Sequence, residues 1–341
     1  MEFNINNFDA ILEKTRILST KEYIQAPIIL KSDSTPIATL GNISASVGKA
    51  KSGKTFNVVA IASAILADNP VLNYSANLPS DKKNIIYIDT EQSEFHCQKT
   101  VKRIATLSKI SDEEMKNRLY FFALRKFNAD QRKTIIDEIL SNINNVGFVI
   151  IDGLRDLLHD FNCPKESSDL ITKLMHWSSE YMLHIHTVLH VNKNDEQTRG
   201  HLGTELNNKA ENIIHICKQN STNTHHVKSL LSRDIEFMSF SFIINEDGIP
   251  VLDVNSSINI KQSKRGIKFD EITDEQHIKA LVNAFSNPII TGYNHLKTSI
   301  RQAYSDIGFE FGNNKITGLI KYLKEHNFII NEGKGYQLNK K

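Results

Sequence analysis

Cysteine is scarce: only Cys97, Cys163 and Cys217 occur in 341 residues, widely separated and in no metal-ligand spacing. That excludes a disulfide framework and a cysteine-based zinc site, and a reducing, cytoplasmic setting is expected. No apolar run approaches the ~18 residues needed to cross a bilayer. Residues 1 to 7 offer Glu2 and asparagines where a signal peptide has a basic stretch before an apolar one, so a soluble chain with no membrane partner is expected. Charge of one sign is lacking too, since 41 Lys and Arg against 39 Asp and Glu leave a net +2. This excludes a basic arm, an acidic tail and a wholly polybasic nucleic-acid binder. With seven prolines, 40% apolar and 23% charged residues, the composition is that of a folded globular protein and excludes disorder as the main state.

What is present reads as two domains, the number expected at roughly 100 to 200 residues each. Residues 1–36 form an entry segment in which Phe8, Ile11, Leu12 and Ile17 recur at helical spacing, followed by a short extended stretch bracketed by Pro27 and Pro36. Over 37–254, short β-rich runs such as Ile43 to Val47, Ile85 to Ile88, Phe148 to Ile151 and Ile185 to Leu189 alternate with longer helical-period segments. The alternation predicts an α/β fold with a mainly parallel twisted sheet covered on both faces. Late strands 240–244 and 249–254, joined through Asp247-Gly248, predict an antiparallel hairpin. Residues 255–269 read as a polar linker. In 270–341, three helical segments are followed by two short strands, the pattern of a winged helix, with Asn313 or Asn314 as cap of the third helix.

The chemistry begins at Gly48-Lys49-Ala50-Lys51-Ser52-Gly53-Lys54-Thr55, with Phe56 next, a complete GxxxxGK[ST] P-loop between a strand-like and a helix-like run. Its glycines let backbone N–H groups curl round phosphates, Lys54 balances β- and γ-phosphate charge, and Thr55 offers its hydroxyl to Mg²⁺. ATP or GTP binding is the strongest expectation. Val149-Ile150-Ile151-Asp152 supplies an acid at the end of a buried strand, so Asp152 is the candidate second metal residue. Hydrolysis also needs a base to activate water, and Gly153 occupies the place after the metal acid where many ATPases carry a glutamate. Glu91 in Asp89-Thr90-Glu91, past the next β-run, is the candidate base, with Asp89 as the alternative.

These elements, with Arg103, Asp152-Gly153-Leu154-Arg155, Leu189-His190 and Arg199-Gly200, resemble the RecA-like ATPase superfamily. Within it they resemble plasmid RepA-type and DnaB-type hexameric helicases and related AAA-family ATPases of mobile elements. The resemblance covers roughly 37–254 and implies MgATP as ligand, Glu91 as activator of water and His190 as γ-phosphate sensor. It also implies a DNA-gripping loop at 192–203 with Lys193 and Arg199. A homo-oligomer, a hexamer in the named helicases, would place a basic finger from one subunit at the site of the next. Lys228 and Arg233 match the finger's position, and Arg233 is favoured because a planar guanidinium suits phosphate. With about 40 residues before the resembling stretch, the large amino-terminal collar of DnaB-type helicases is not expected.

Residues 315–341 carry six lysines against two glutamates, with Lys321 and Lys324 expected on the outer face of the third helix. They are the candidate duplex-DNA contacts. The expected function is an oligomeric, DNA-associated, helicase-like ATPase serving replication or mobilisation of a mobile element. The alternative is a nucleotide-switched DNA-binding, regulatory or loader protein with little motor activity.

Overall fold

A computed structural model describes residues 8–67, 69–191, 200–219, 223–253, 269, 272–286, 288–307, 309, 311–332 and 335–339. The chain divides into two compact units, Met1–Ile258 and Asn259–Lys341.

The first unit opens with α1 (Phe8–Thr15), a helix with no buried residue, then β1 (Ile28–Ser32), β2 (Thr35–Thr39) and β3 (Ile43–Gly48). The chain continues through α2 (Lys54–Leu66), β4 (Tyr74–Ala76), β5 (Asn84–Asp89), α3 (Glu94–Ser108), α4 (Asp112–Arg118), β6 (Leu119–Ala123), α5 (Ala129–Asn142) and β7 (Val146–Asp152). After a 3₁₀ turn at Leu154–Leu157 come α6 (Pro164–Glu180), β8 (His184–His190), α7 (Gly200–Lys209), β9 (Asn212–Gln219), β10 (Thr224–Ser232), β11 (Phe240–Ile244) and β12 (Pro250–Leu252).

Helix starts follow local chemistry. Asn128 and Gln131 form a reciprocal capping box on α5, the Ser111 side chain accepts from the Glu114 amide on α4, and Pro164 opens α6 where no amide partner is needed. Strands β3 and β7 are buried along their whole length, which explains their continuous runs of small and apolar residues.

The large sheet has the order β12-β11-β10-β9-β3-β8-β7-β5-β6. From β9 to β6 all pairs are parallel, and β9 to β12 are antiparallel. One apolar core joins α2 to one face of the sheet through Val58, Ile61, Ile85, Tyr87 and Phe148. A second, through Val149, Ile151, Leu174, Trp177 and Leu206, packs the other face. This mixed α/β layering fits a RecA-like P-loop core.

The entry segment differs from expectation. Strands β1, β2 and β4 form their own antiparallel sheet. Ile29, Leu30, Ile37 and Ala38 pack into the core cluster that contains α2, so a boundary at residue 37 cuts through β2. The described helix also ends at Thr15, before Ile17, which is exposed.

In the second unit, α8 (Asp274–Ala284), β13 (Ile289–Thr291), α9 (Tyr293–Asp306), α10 (Asn313–Glu325), β14 (Ile329–Glu332) and β15 (Gly335–Leu338) surround one core of Leu281, Leu296, Ile300, Ile316, Leu319 and Leu323. The strands form a three-stranded antiparallel sheet, β13-β15-β14. The cap of α10 is Gly312, one residue before the expected asparagines, and no side chain caps it.

Candidate functional site

Parallel pairing sets the site. Gly48 at the end of β3 lies beside His190 at the end of β8, Asp152 pairs in register with Val188, and Asp89 pairs with Asp152. Strand ends carrying the P-loop, two acids and a histidine therefore share one edge, where open α/β sheets bind ligands.

The loop from β3 to α2 passes twice through the left-handed region. Lys51 and Gly53 take positive φ values of 62° and 96°. A Cβ on Gly53 would lie 2.4 Å from His225 Nδ1, and one on Gly48 would lie 2.2 Å from the Ile216 carbonyl oxygen. Close approach thus requires a glycine at both positions, and at Gly53 the left-handed turn requires it as well. No side chain caps α2, so the first amides of a 13-residue helix are left for an anion. The buried Ser52 Oγ has no hydrogen-bond partner among the described residues.

Lys54 is 7% exposed and donates from Nζ to the carbonyls of Gly48 (3.0 Å) and Lys49 (2.9 Å). Its Nζ also lies 3.1 Å from His190 Nδ1. An ammonium only donates, so Nδ1 accepts and His190 carries its proton on Nε2, which sits 3.9 Å from Glu91 Oε1. Burial lowers the Lys54 pKa to about 8, against the opposing pull of Asp152 and Glu91. Lys54, His190 and Glu91 are thereby brought into one row.

Asp152 Oδ2 accepts from Thr55 Oγ1 at 3.2 Å and from the Tyr87 hydroxyl at 3.0 Å. Burial, then the nearby Asp89 carboxylate, raise the Asp152 pKa to about 7. A buried carboxylate beside a hydroxyl and facing an uncapped helix end is the donor set of a divalent cation that takes its other ligands from phosphate and water. Among the described residues no cluster of three or more His, Cys, Asp or Glu could hold a metal by itself. Thr55 and Asp152 therefore fit Mg²⁺ bound together with a nucleotide.

Glu91 and Asp89 separate by their bonding. Asp89 is wholly buried and accepts from the amides of Glu91 (3.0 Å) and Gln92 (2.7 Å) and from Gln92 Nε2 (2.7 Å). It braces the loop. Glu91 keeps its carboxylate in the cavity, with its pKa raised by burial and by Asp156 and Asp89. Gly153 has φ 106°, and a Cβ there would meet Thr90 Oγ1 at 2.0 Å. The Thr90 hydroxyl reaches the Asp152 and Gly153 carbonyls and the Asp156 carboxylate. That packing is why a glycine, and not a glutamate, follows Asp152.

The cavity, about 380 Å³, is lined by the P-loop, Glu91, Asp152 and His190 and continues to Phe56, Lys218, His225 and Ile244. His225 Nδ1 donates to the Ser52 carbonyl at 2.8 Å, with its ring stacked on Phe242. Sequence reasoning missed Lys218 and His225 because β9 and β10 carry no motif. It missed Tyr87 although that residue shares a strand face with Asp89. The Arg103 guanidinium lies over the Phe56 ring and donates to the Gly248 carbonyl.

Other expected residues lie elsewhere. Arg233 follows the end of β10 remote from the P-loop and donates to the Lys209 carbonyl at 2.6 Å, so it is not part of its own chain's cavity. Lys228 pairs in register with His215 in mid-sheet. Lys321 is exposed near Glu325, and Lys324 sits over the Tyr336 ring in the second unit. Lys193 and Arg199 fall outside the described residues.

Residues 35–196 match the family model described as AAA domain, and the match supports a P-loop ATPase over that stretch. No curated protein matches the chain. Among the described residues no helix is long and apolar enough to cross a membrane.

The Asp152 environment predicts a stability effect. An unfolded carboxyl titrates near 3.8 and the folded one near 7, so the folded chain binds more protons between these values. Stability from this group is whole at low pH and is lost as pH rises through 7. In metal-free buffer without nucleotide, Asp152→Asn should therefore stabilise the first unit at pH 8 by up to about 4 kcal/mol, with no gain near pH 4. Urea unfolding followed by fluorescence of Trp177, the single tryptophan, reads the difference.

Proposed function

We propose that the chain binds and hydrolyses MgATP in this cavity as an oligomeric, DNA-associated ATPase. The observation that carries the reading is the row Lys54–His190–Glu91 beside Thr55–Asp152 at the mouth of an uncapped helix. Lys54 and the P-loop amides of Gly48, Lys51, Ser52, Gly53, Thr55 and Phe56 receive the phosphates. Thr55 and Asp152 hold Mg²⁺, which neutralises charge on the β- and γ-phosphates when bound.

Glu91 takes the proton of the attacking water, and burial, which raises its pKa, makes it a stronger base than a free carboxylate. His190 presents its Nε2 proton between Glu91 and the phosphate end, where it senses the γ-phosphate. Phe56 and Ile244 supply apolar surface and Lys218 a cation at the nucleoside end. GTP is the competing nucleotide. The placement of Arg233 away from its own cavity supports a role in trans, completing the site of a neighbouring copy in a ring, a hexamer in the helicases the sequence resembles.

The second unit is read as a winged helix: three helices, a short strand after the first and a closing hairpin support that topology. Lys321 and Lys324 on α10 then face duplex DNA, and the loop with Lys193 and Arg199 meets single-stranded DNA. A helicase-like role in a mobile element is the resulting proposal. The nucleotide-switched regulator or loader is the second reading, and the small number of exposed cations on α10 is compatible with it.

Steady-state turnover is the first test. Lys54→Ala and Glu91→Gln should each lower ATP hydrolysis by about 100-fold or more, and stimulation of the wild type by single-stranded DNA distinguishes a motor from a switch. Turnover unaffected by Glu91→Gln assigns the base elsewhere. Arg233→Ala should reduce turnover at protein concentrations where the oligomer forms and leave the dilute protein unchanged; no effect at any concentration refutes the shared site. Replacing Lys321 and Lys324 with Ala should shrink the slope of log affinity for duplex DNA against log salt by about 2, whereas an unaltered slope removes α10 from the interface.

A further inference from the structure

A run of buried polar side chains crosses the sheet beneath the P-loop and is used by none of the chemistry above. Ser44 and Ser46 on β3 face His184 and His186 on β8, all four nearly or fully buried. Ser44 Oγ lies 2.7 Å from His184 Nε2 and 2.7 Å from His186 Nδ1, and Ser46 Oγ lies 2.8 Å from His186 Nε2. Asn57 Nδ2 donates to Ser46 Oγ at 3.3 Å, and the Tyr74 hydroxyl donates to Asn57 Oδ1 at 2.8 Å. At the other end His184 Nδ1 lies 2.8 Å from the Thr39 carbonyl oxygen and 3.4 Å from Glu211 Oε1.

Every proton in this run is determined. A carbonyl only accepts, so His184 carries its proton on Nδ1. Burial holds the pKa of His184 down to about 4 and that of His186 to about 3, so both rings are neutral. His184 Nε2 must then accept from the Ser44 hydroxyl. Ser44 has spent its one proton, so His186 Nδ1 donates to it, leaving Nε2 to accept from Ser46. Ser46 in turn can only accept from Asn57. All donors point from Tyr74 toward the Thr39 carbonyl, which fixes the direction of the row, and the Thr39 amide in turn donates to Glu211 Oε1 at 2.7 Å.

Ser46 precedes the P-loop by two residues and Asn57 follows Thr55 by two. Their hydrogen bond therefore ties the strand entering the loop to the helix leaving it. Apolar contacts between those two legs permit sliding, whereas a directional bond does not. We propose that Asn57, Ser46 and His186 are positioning residues that hold the two legs of the P-loop in register, through a one-directional hydrogen-bond chain anchored at Thr39 and Glu211. The effect on turnover rests on the ATPase reading; the proton order does not.

Long-range ¹H–¹⁵N spectra of the full chain at pH 7 should show both His184 and His186 as neutral Nδ1–H tautomers, and an Nε2–H tautomer at either would overturn the chain. In Asn57→Asp the new carboxylate accepts from both Tyr74 and Ser46, so His186 should switch to the Nε2–H tautomer; an unchanged His186 contradicts the ordering. Asn57→Leu covers the case in which the buried acid does not fold. It should speed amide exchange at 57–61 on α2 by about tenfold or more with β7 unaffected. Below its unfolding temperature it should lower kcat by about fivefold or more while KM changes less than about twofold. Unchanged exchange, or unchanged kcat with normal wild-type turnover, refutes the positioning role. A wild type that binds no nucleotide defeats the ATPase reading instead, and the tautomers and exchange still decide the chain.

Discussion

The organisation of the sheet edge depends on one buried cation, the ammonium of Lys54. With so little of it exposed, its charge has to be met by the protein. Two carbonyls of its own loop, the unprotonated nitrogen of His190 and the more distant Asp152 and Glu91 meet it. Because the ammonium can only donate, it fixes the histidine tautomer, and the tautomer turns an N–H toward Glu91. Strand register brings these groups together: the pairing of Gly48 with His190 and of Asp89 with Asp152 follows from the parallel order of β3, β8, β7 and β5.

The same strands carry a polar interior beside that charged edge. Such an arrangement is costly unless every group is satisfied, and the Ser and His side chains of β3 and β8 satisfy one another in sequence from Tyr74 to Thr39. Polar contacts here have the directional order that apolar packing lacks. In the proposed nucleotide site the loop above needs that order, because amides can cradle a phosphate only if strand and helix keep a fixed offset.

Much of this was legible in the sequence where residue type and spacing are dictated by backbone geometry. Gly48 and Gly53 announce the loop because a Cβ at either would strike Ile216 or His225. Asp152 announces itself as an acid ending an apolar run. The serines and histidines of β3 and β8 were not legible: alternating polar residues look solvent-facing in one strand, and only the pairing shows that they face each other. The stretch between Pro27 and Pro36 was legible as extended but not as two paired strands, β1 and β2, of which β2 tolerates Pro36 because it is an edge. Helix α4 has Met115 as its one buried residue and so shows no apolar period. The choice between Asp89 and Glu91 needed coordinates, since it rests on which carboxylate the loop amides already occupy.

The central claim is that this edge is a magnesium-dependent nucleotide site organised by Lys54. Calorimetric titration of ATP into the full chain, with and without Mg²⁺, tests it most directly. The account predicts one saturable site per chain whose affinity rises about tenfold or more with Mg²⁺, and whose binding is lost in Lys54→Ala. Absence of binding by the wild type, or equal binding by the Lys54→Ala variant, would contradict it.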